Sequence, residues 1–342
     1  MSIEQKPSYS VDLKPFWYKY KRDAKLFDKR LRCSMRLARA KRSQNNTYDI
    51  ICKKYPTIPT YVEVMQLKNE LLPQHEKLVI SVPVFQYWHQ GASLEKAVKN
   101  GSNWSPVHKM SYLSVDRYYK DNHIVLDFDT VHDYINFGPK LQNIVEKFIQ
   151  NKRIAGLSDL FRTLLLFLYG GIWCDFTIFL FNKIPQEILD EDVFFYVRGK
   201  KPADYKEFEI YDPAYFCWDN DYKVRVLSSF ISAKKDNYFL GVFAYKLFEI
   251  LEKENLSELD YFMYQIVFDF LVRTAEFSPI YNKMALFPSD AKCHILHRYA
   301  ANKFSENLYK EIKDKFPIQK LNAGLPFIKD CLLYESIVRE KF

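Results

Sequence analysis

Residues 155–180 read AGLSDLFRTLLLFLYGGIWCDFTIFL, and the only charged side chains in this stretch are Asp159, Arg162 and Asp175. Asp175 falls inside a hydrophobic run with strand character, where an ionised carboxylate is costly unless it meets a metal or a cation. Asp159 and Arg162 are three residues apart and share one helix face, so one can accept hydroxyl hydrogens of a ligand while the other neutralises phosphate. A plainer reading stands beside this one: Asp159 caps the helix and pairs with Arg162, and Asp175 sits at a strand end facing water. Of seven histidines, His294 and His297 form one close pair. Without a nearby cysteine they are a weak metal signal, equally accounted for by structural or solvent-facing roles.

Other site chemistries lack their residues. The sequence contains no G-x-G-x-x-G, no P-loop, no H-E-x-x-H and no G-x-S-x-G, so dinucleotide, P-loop nucleotide, zincin and hydrolase-elbow readings have no support. The six cysteines form no C-x-x-C pair and are spread over the whole chain, which argues against a zinc site and a disulfide framework. The longest apolar run falls well short of the roughly 20 residues needed to cross a bilayer, and the first fifteen residues lack a signal-peptide h-region. These features place the protein in the cytoplasm.

The elements that must position Asp159, Arg162 and Asp175 follow from hydropathy. Ser158 reads as an N-cap for an apolar helix ending at Tyr169, Gly170-Gly171 as its stop, and 172–180 as the next strand. Further strands are expected at 78–85, 123–127, 193–197 and 228–232, and amphipathic helices at 238–253 and 258–274. Strands and helices alternate, as in an open, mostly parallel α/β sheet. With 342 residues, 48% hydrophobic and 17% aromatic, the chain can bury a substantial core of one or two domains.

The charge is concentrated at one end. Residues 14–42 carry twelve Lys/Arg against Asp23 and Asp28, a net of +10 in a chain whose total is +8, so the rest carries −2. Phe16, Tyr20, Ala24, Phe27, Leu31, Met35 and Ala38 recur at helical spacing, making this a basic amphipathic helix. Such a helix suits an anionic membrane surface or an anionic acceptor; packing of the stripe on the protein body, or self-association into a homo-oligomer, are the other readings. Confinement of the charge to one segment, with no accompanying motif, argues against nucleic acid. Residues 44–77 read as a polar connection followed by a short helix, which divides the chain into an N-terminal segment 1–75 and a main domain 76–342.

The 155–180 segment resembles the core of the bacterial capsular polysaccharide synthesis glycosyltransferases. These belong to the wider group with a D-x-D sugar-binding motif that includes the glucosylating clostridial toxins. FQYWHQG at 85–91, FISAKKDN at 230–237, LDYFMYQIVFD at 259–269, CHIL at 293–296 and FPIQKLN at 316–322 resemble further segments of that family in the expected order. The resemblance implies a GT-A fold with a Rossmann-like sheet, a nucleotide-diphosphate-sugar donor with UDP-sugar favoured, Mn²⁺ or Mg²⁺, and transfer with retention of anomeric configuration. It assigns donor binding to Gln86, Trp88, Asp159, Arg162, Gly171, Trp173, Asp175 and Thr177, with Trp88 on the nucleobase. It assigns catalysis to Asp175, Arg162 and Asp260, the last orienting the acceptor hydroxyl or stabilising oxocarbenium charge.

One position departs from the motif: Thr177 stands at the third position of D-x-D, leaving a single carboxylate, Asp175, on the metal side. The nucleotide phosphates would then supply much of the coordination, with His294 a candidate further ligand. The implied role is extension of a surface glycan or its lipid-linked precursor on the inner face of the bacterial membrane. A protein-modifying transferase and a non-catalytic sugar-nucleotide-binding component are the alternatives.

Overall fold

The computed structural model describes residues 14–73, 80–325 and 327–340, with side chains from residue 31 onward. A five-stranded sheet lies at its centre. Its strands are β1 (Val84–Tyr87), β2 (His123–Leu126), β3 (Gly171–Cys174), β5 (Val193–Val197) and β6 (Val226–Ala233), in the order β2-β1-β3-β6-β5. β1 is parallel to β2 and β3, whereas β6 is antiparallel to β3 and β5. The α/β class is as expected, and four of the five strands run the same way, β6 alone being reversed. Residues 198–225, between β5 and β6, carry only the short helix Tyr205–Tyr211 and no long crossover helix, so β6 runs back beside β5.

Alternating side chains divide the sheet between two apolar layers. Phe85, Trp173, Phe195 and Ile231 face one core, and Val84, Ile172, Phe194 and Phe230 face the other. A sheet covered on both faces needs apolar residues at every position, which is why these strands read as continuous hydrophobic runs. The first face is covered by α4 (Ile154–Tyr169), α5 (Tyr238–Lys253) and α6 (Met263–Val272), joined there by α1 (Lys14–Lys54) and α2 (Tyr61–Leu71); α3 (Pro106–Tyr119) packs on the second.

Several local expectations change. The stretch 172–180 is two strands: the backbone turns at Asp175-Phe176-Thr177, where the Asp175 carbonyl accepts the Ile178 N–H at 2.8 Å, and β4 (Ile178–Leu180) leaves the sheet to pair with β7 (Ile318–Lys320). Helix α4 begins at Ile154, so Ser158 lies inside it rather than at its N-cap. The residues Gln44-Asn45-Asn46 continue α1, because Gln44, Thr47, Ile51 and Tyr55, at helical spacing, are all buried. Gly170 and Gly171 have φ of 69° and 92°, and a β-carbon on Gly171 would lie 2.2 Å from the Pro83 carbonyl oxygen. Close passage of the chain entering β1, rather than approach of a ligand, requires glycine there.

Within α1 the stripe expected to be apolar is exposed where its side chains are described: Leu31 and Met35 are 50% and 62% accessible, while the packed face is a different one. The side chains of Phe16, Tyr20, Ala24 and Phe27 lie outside the described residues, as do the boundary expected at 75/76 and the start of the run 78–85. Among the described residues no helix is long and apolar enough to cross a membrane.

Candidate functional site

The strands β1 and β3 end side by side, and open α/β sheets bind ligands at the carboxyl ends of their parallel strands. A cavity of about 670 Å³ opens there, lined by Trp88 and His89 after β1, by Asp175 and Thr177 after β3, and by Asp159 and Arg162 from α4. The volume lies within the range of ligand pockets.

Arg162 is buried among apolar neighbours and is oriented from several sides. Its Nε donates to the Ser158 carbonyl at 3.3 Å, one terminal nitrogen donates to the Ser228 carbonyl, and the other lies 3.2 Å from both Asp159 Oδ1 and Asp175 Oδ1. The guanidinium also lies 5.2 Å from the Trp173 ring centroid and 5.8 Å from that of Tyr264. Asp175 Oδ1 accepts the Trp173 indole N–H at 2.7 Å. Burial raises the Asp175 pKa, but Arg162, Lys320, Trp173 and Ser229 outweigh it and hold the carboxyl below its ordinary value. Asp159 meets the opposite balance. Burial and the neighbouring Asp175 charge, only partly offset by Arg162, push it up to about 6.

The fourth charge at this centre was not legible in the sequence. Lys320, at the end of β7, reaches Asp175 Oδ2 at 3.4 Å and donates to Thr177 Oγ1. Its place is fixed by strand pairing, Ile178 opposite Lys320, and by the Leu321 N–H bonded to the Thr177 carbonyl at 2.7 Å. Gln319 is fully buried and clamps β7 to the preceding segment, accepting the Leu296 N–H at 2.9 Å and donating to the Lys292 carbonyl at 3.0 Å.

The structure brings Trp88, Asp159, Arg162, Asp175, Thr177 and His294 to one cavity. Four other expected residues stand behind it. Gln86 is buried, donates to the Asp175 carbonyl at 3.4 Å and pairs its Oε1 with His123 Nε2 at 2.9 Å, so it supports the turn. Trp173 faces the core and orients Asp175, and Gly171 serves the packing against Pro83. Asp260 does not line the cavity: its carboxylate accepts the Phe262 N–H at 2.7 Å in the turn before α6. That turn instead presents Tyr261 and Phe262 to the cavity.

Asp212 also lines the cavity. It accepts the Ala214 N–H at 3.2 Å, has no cation within ion-pair distance among the described residues, and burial raises its pKa. Among the residues that line the cavity, both His294 ring nitrogens, the Trp88 indole nitrogen and Gln265 Oε1 are buried without a hydrogen-bond partner. Burial holds His294 well below its ordinary pKa, so its imidazole is neutral.

For Mn²⁺ or Mg²⁺ the protein side offers little: both oxygens of Asp175 face cations, and no three His, Cys, Asp or Glu converge on a point among the described residues, so coordination would fall mainly to the donor phosphates and water.

A family model described as "Capsular polysaccharide synthesis protein" matches residues 30–334, which takes in the side-chain-bearing part of α1, the whole cavity and β7. A comparison with curated proteins finds no match.

Proposed function

The chain belongs to the capsular polysaccharide synthesis protein family, and we propose that it is a glycosyltransferase of GT-A type that moves a sugar from a nucleotide-diphosphate donor onto a growing capsular or other surface glycan. The observation that carries this reading is the convergence of Arg162 and Lys320 on Asp175 in a cavity also lined by Trp88 and Asp159. A nucleoside diphosphate sugar has the matching parts: a flat base, hydroxyls and a compact anion.

In this reading Trp88 stacks on the base, its ring already held 4.3 Å from that of His108. Asp159 accepts hydroxyl hydrogens of the donor, and the two cations lie against the diphosphate, where negative charge grows as it departs. The bond between the anomeric carbon and the phosphate oxygen breaks with its electron pair leaving on that oxygen. The acceptor hydroxyl oxygen forms the new bond on the same face, and its proton passes to the departing phosphate oxygen. Retention rests on the motifs this chain resembles. Asp212 takes the acceptor-orienting part expected of Asp260, because it lines the cavity and, unlike Asp159 and Asp175, is not ion-paired with Arg162.

The acceptor side borders the basic helix. Cys33 of α1 donates its Sγ–H to the Glu209 carbonyl, Gln44 donates to the Ala214 carbonyl at 3.4 Å, and the Arg36 charge offsets a small part of the burial that raises the Asp212 pKa. Arg32, Arg36, Arg39 and Arg42 are exposed along this helix, and Arg36 lies near enough to the rim residue Asp212 to act on its charge. That arrangement suits an anionic leaflet or a lipid-linked pyrophosphate acceptor on the inner face of the membrane.

The test is donor hydrolysis across UDP-, GDP- and CMP-sugars, native protein against Asp175→Asn, with a thermal unfolding control. Turnover of one donor that Asp175→Asn loses supports the transferase. A fully active Asp175→Asn removes it, and donor binding without turnover under any condition favours a non-catalytic component.

A further inference from the structure

The side chains at the first and third positions of the D-x-T turn, Asp175 and Thr177, are those that a donor-bound divalent cation would use. In this chain an ammonium group stands on both. Lys320 Nζ is 3.4 Å from Asp175 Oδ2 and donates to Thr177 Oγ1, while Arg162 faces the other Asp175 oxygen at 3.2 Å. We propose that Lys320, acting with Arg162, takes the place of the divalent cation, so that the diphosphate of the donor is bound and neutralised by side chains alone. This rests on the transferase reading above.

Three observations support it. First, the position of Lys320 is built into the backbone: β4 and β7 pair in a register that sets it opposite Ile178, immediately after the turn, and Gln319 locks the strand from behind. Second, the centre is already balanced, with Asp159 and Asp175 against Arg162 and Lys320. A dication placed on the same oxygens would lie against two positive groups, and like charges at such distances repel strongly in a partly enclosed site. Third, an ammonium has three N–H donors. Thr177 takes one and Asp175 faces another, which leaves one for the cavity that Lys320 lines. A threonine in place of the second carboxylate is then the complementary change: its hydroxyl accepts from an ammonium without adding a charge that only a metal would offset.

The experiment is calorimetric binding of UDP, GDP and ADP, each beside its nucleoside, to the full-length protein in EDTA and in Mn²⁺. The proteins compared are native, Lys320→Ala and Lys320→Arg. Native protein is expected to bind one diphosphate in EDTA within about twofold of its affinity in Mn²⁺. Lys320→Ala should weaken that binding roughly tenfold or more, the size of a lost charge-assisted hydrogen bond. Binding of the matching nucleoside should be unchanged by either substitution, which shows that the variants are folded. Lys320→Arg should keep much of the diphosphate affinity, and Lys320→Ala should gain a response to Mn²⁺ as Asp175 and Thr177 are freed. Diphosphate binding that EDTA abolishes in the native protein and Mn²⁺ restores would overturn the substitution of lysine for metal while leaving the transferase reading intact. Equal diphosphate affinity in native protein and Lys320→Ala would overturn it as well. Absence of any nucleotide binding, with and without Mn²⁺, would overturn the transferase reading and this inference together.

Discussion

The Thr47 hydroxyl, in the second half of α1, accepts a hydrogen bond from the backbone N–H of Asp260 at 2.8 Å, and both residues are buried. The first helix is thereby bonded to the segment that brings Tyr261 and Phe262 to the cavity wall. Further along, Lys54 pairs with Glu254 at 2.9 Å, and Lys246 donates to the Tyr55 carbonyl at 2.9 Å. The second half of α1 thus shares the main core.

Truncation inside this contact should therefore cost stability. Ile51 is fully buried, and Ile51→Ala should lower the unfolding free energy by about 2–5 kcal/mol, the usual cost of removing a buried aliphatic side chain. Thr47→Val should cost about 1–3 kcal/mol by stranding the Asp260 N–H. Urea unfolding measures both. Midpoints equal to native would mean that the helix does not contribute to the core.

What could be read in the sequence was set by local pattern. The apolar helix, the Gly-Gly stop, the strands at 193–197 and around 228–232 and the helix Tyr238–Lys253 needed only neighbouring residues to declare themselves. Lys320 could not be read this way. Its role depends on pairing between β4 and β7, about 140 residues apart, and a lysine after two buried strand residues looks like an exposed strand end. Asp260 shows the reverse: its place in an aromatic, motif-like segment suggested chemistry, while in the fold one carboxylate oxygen accepts the Phe262 N–H two residues on and the residue does not line the cavity. Gln44 read as part of a connection because a single buried polar residue looks like surface until its partner, the Ala214 carbonyl, is known.

Gly171 and Gly101 separate two causes of strain. At Gly171 a β-carbon meets both a φ of 92° and the Pro83 carbonyl at 2.2 Å, whereas Gly101 has a φ of 76° and open space. Gly101→Ala should cost about 1–2 kcal/mol, the left-handed penalty alone. Gly171→Ala should cost clearly more, because β1 must move. Chemical unfolding of the two variants gives the comparison, and equal losses would mean that the contact with Pro83 is unimportant.

Stability should also depend on pH through Asp159. Its folded pKa, raised to about 6, exceeds the ordinary value, so between about pH 4 and pH 6 the folded state binds the proton more readily than the unfolded state. From this group stability falls as pH rises through that window, by an order of 3 kcal/mol, and is constant above it. His108 and His297, each lowered to about 4 by burial, act in the opposite direction: stability from these groups rises as pH climbs from about 4 to 6.5. The useful quantity is therefore the difference between native protein and Asp159→Asn. The native advantage should shrink from pH 4 to pH 6, and a difference that is flat with pH would show that Asp159 ionises normally.

The exposed face of α1 carries the remaining prediction. Leu31 and Met35 stand out from the body among Arg32, Arg36, Arg39 and Arg42, an arrangement that places apolar side chains at the acyl boundary and cations at the headgroups. Each basic residue near an anionic surface contributes about 1 kcal/mol, so binding should appear with phosphatidylglycerol vesicles, weaken with added salt and vanish with phosphatidylcholine. Replacing Leu31 and Met35 with Glu removes apolar contact and reverses local charge without touching the face packed on the core. The sedimented fraction should then drop severalfold while the unfolding midpoint stays near native, since exposed positions change stability little. An unchanged bound fraction would mean that this face meets solvent alone, and that the basic helix serves the cavity rim through Arg36 and Asp212 rather than the lipid surface.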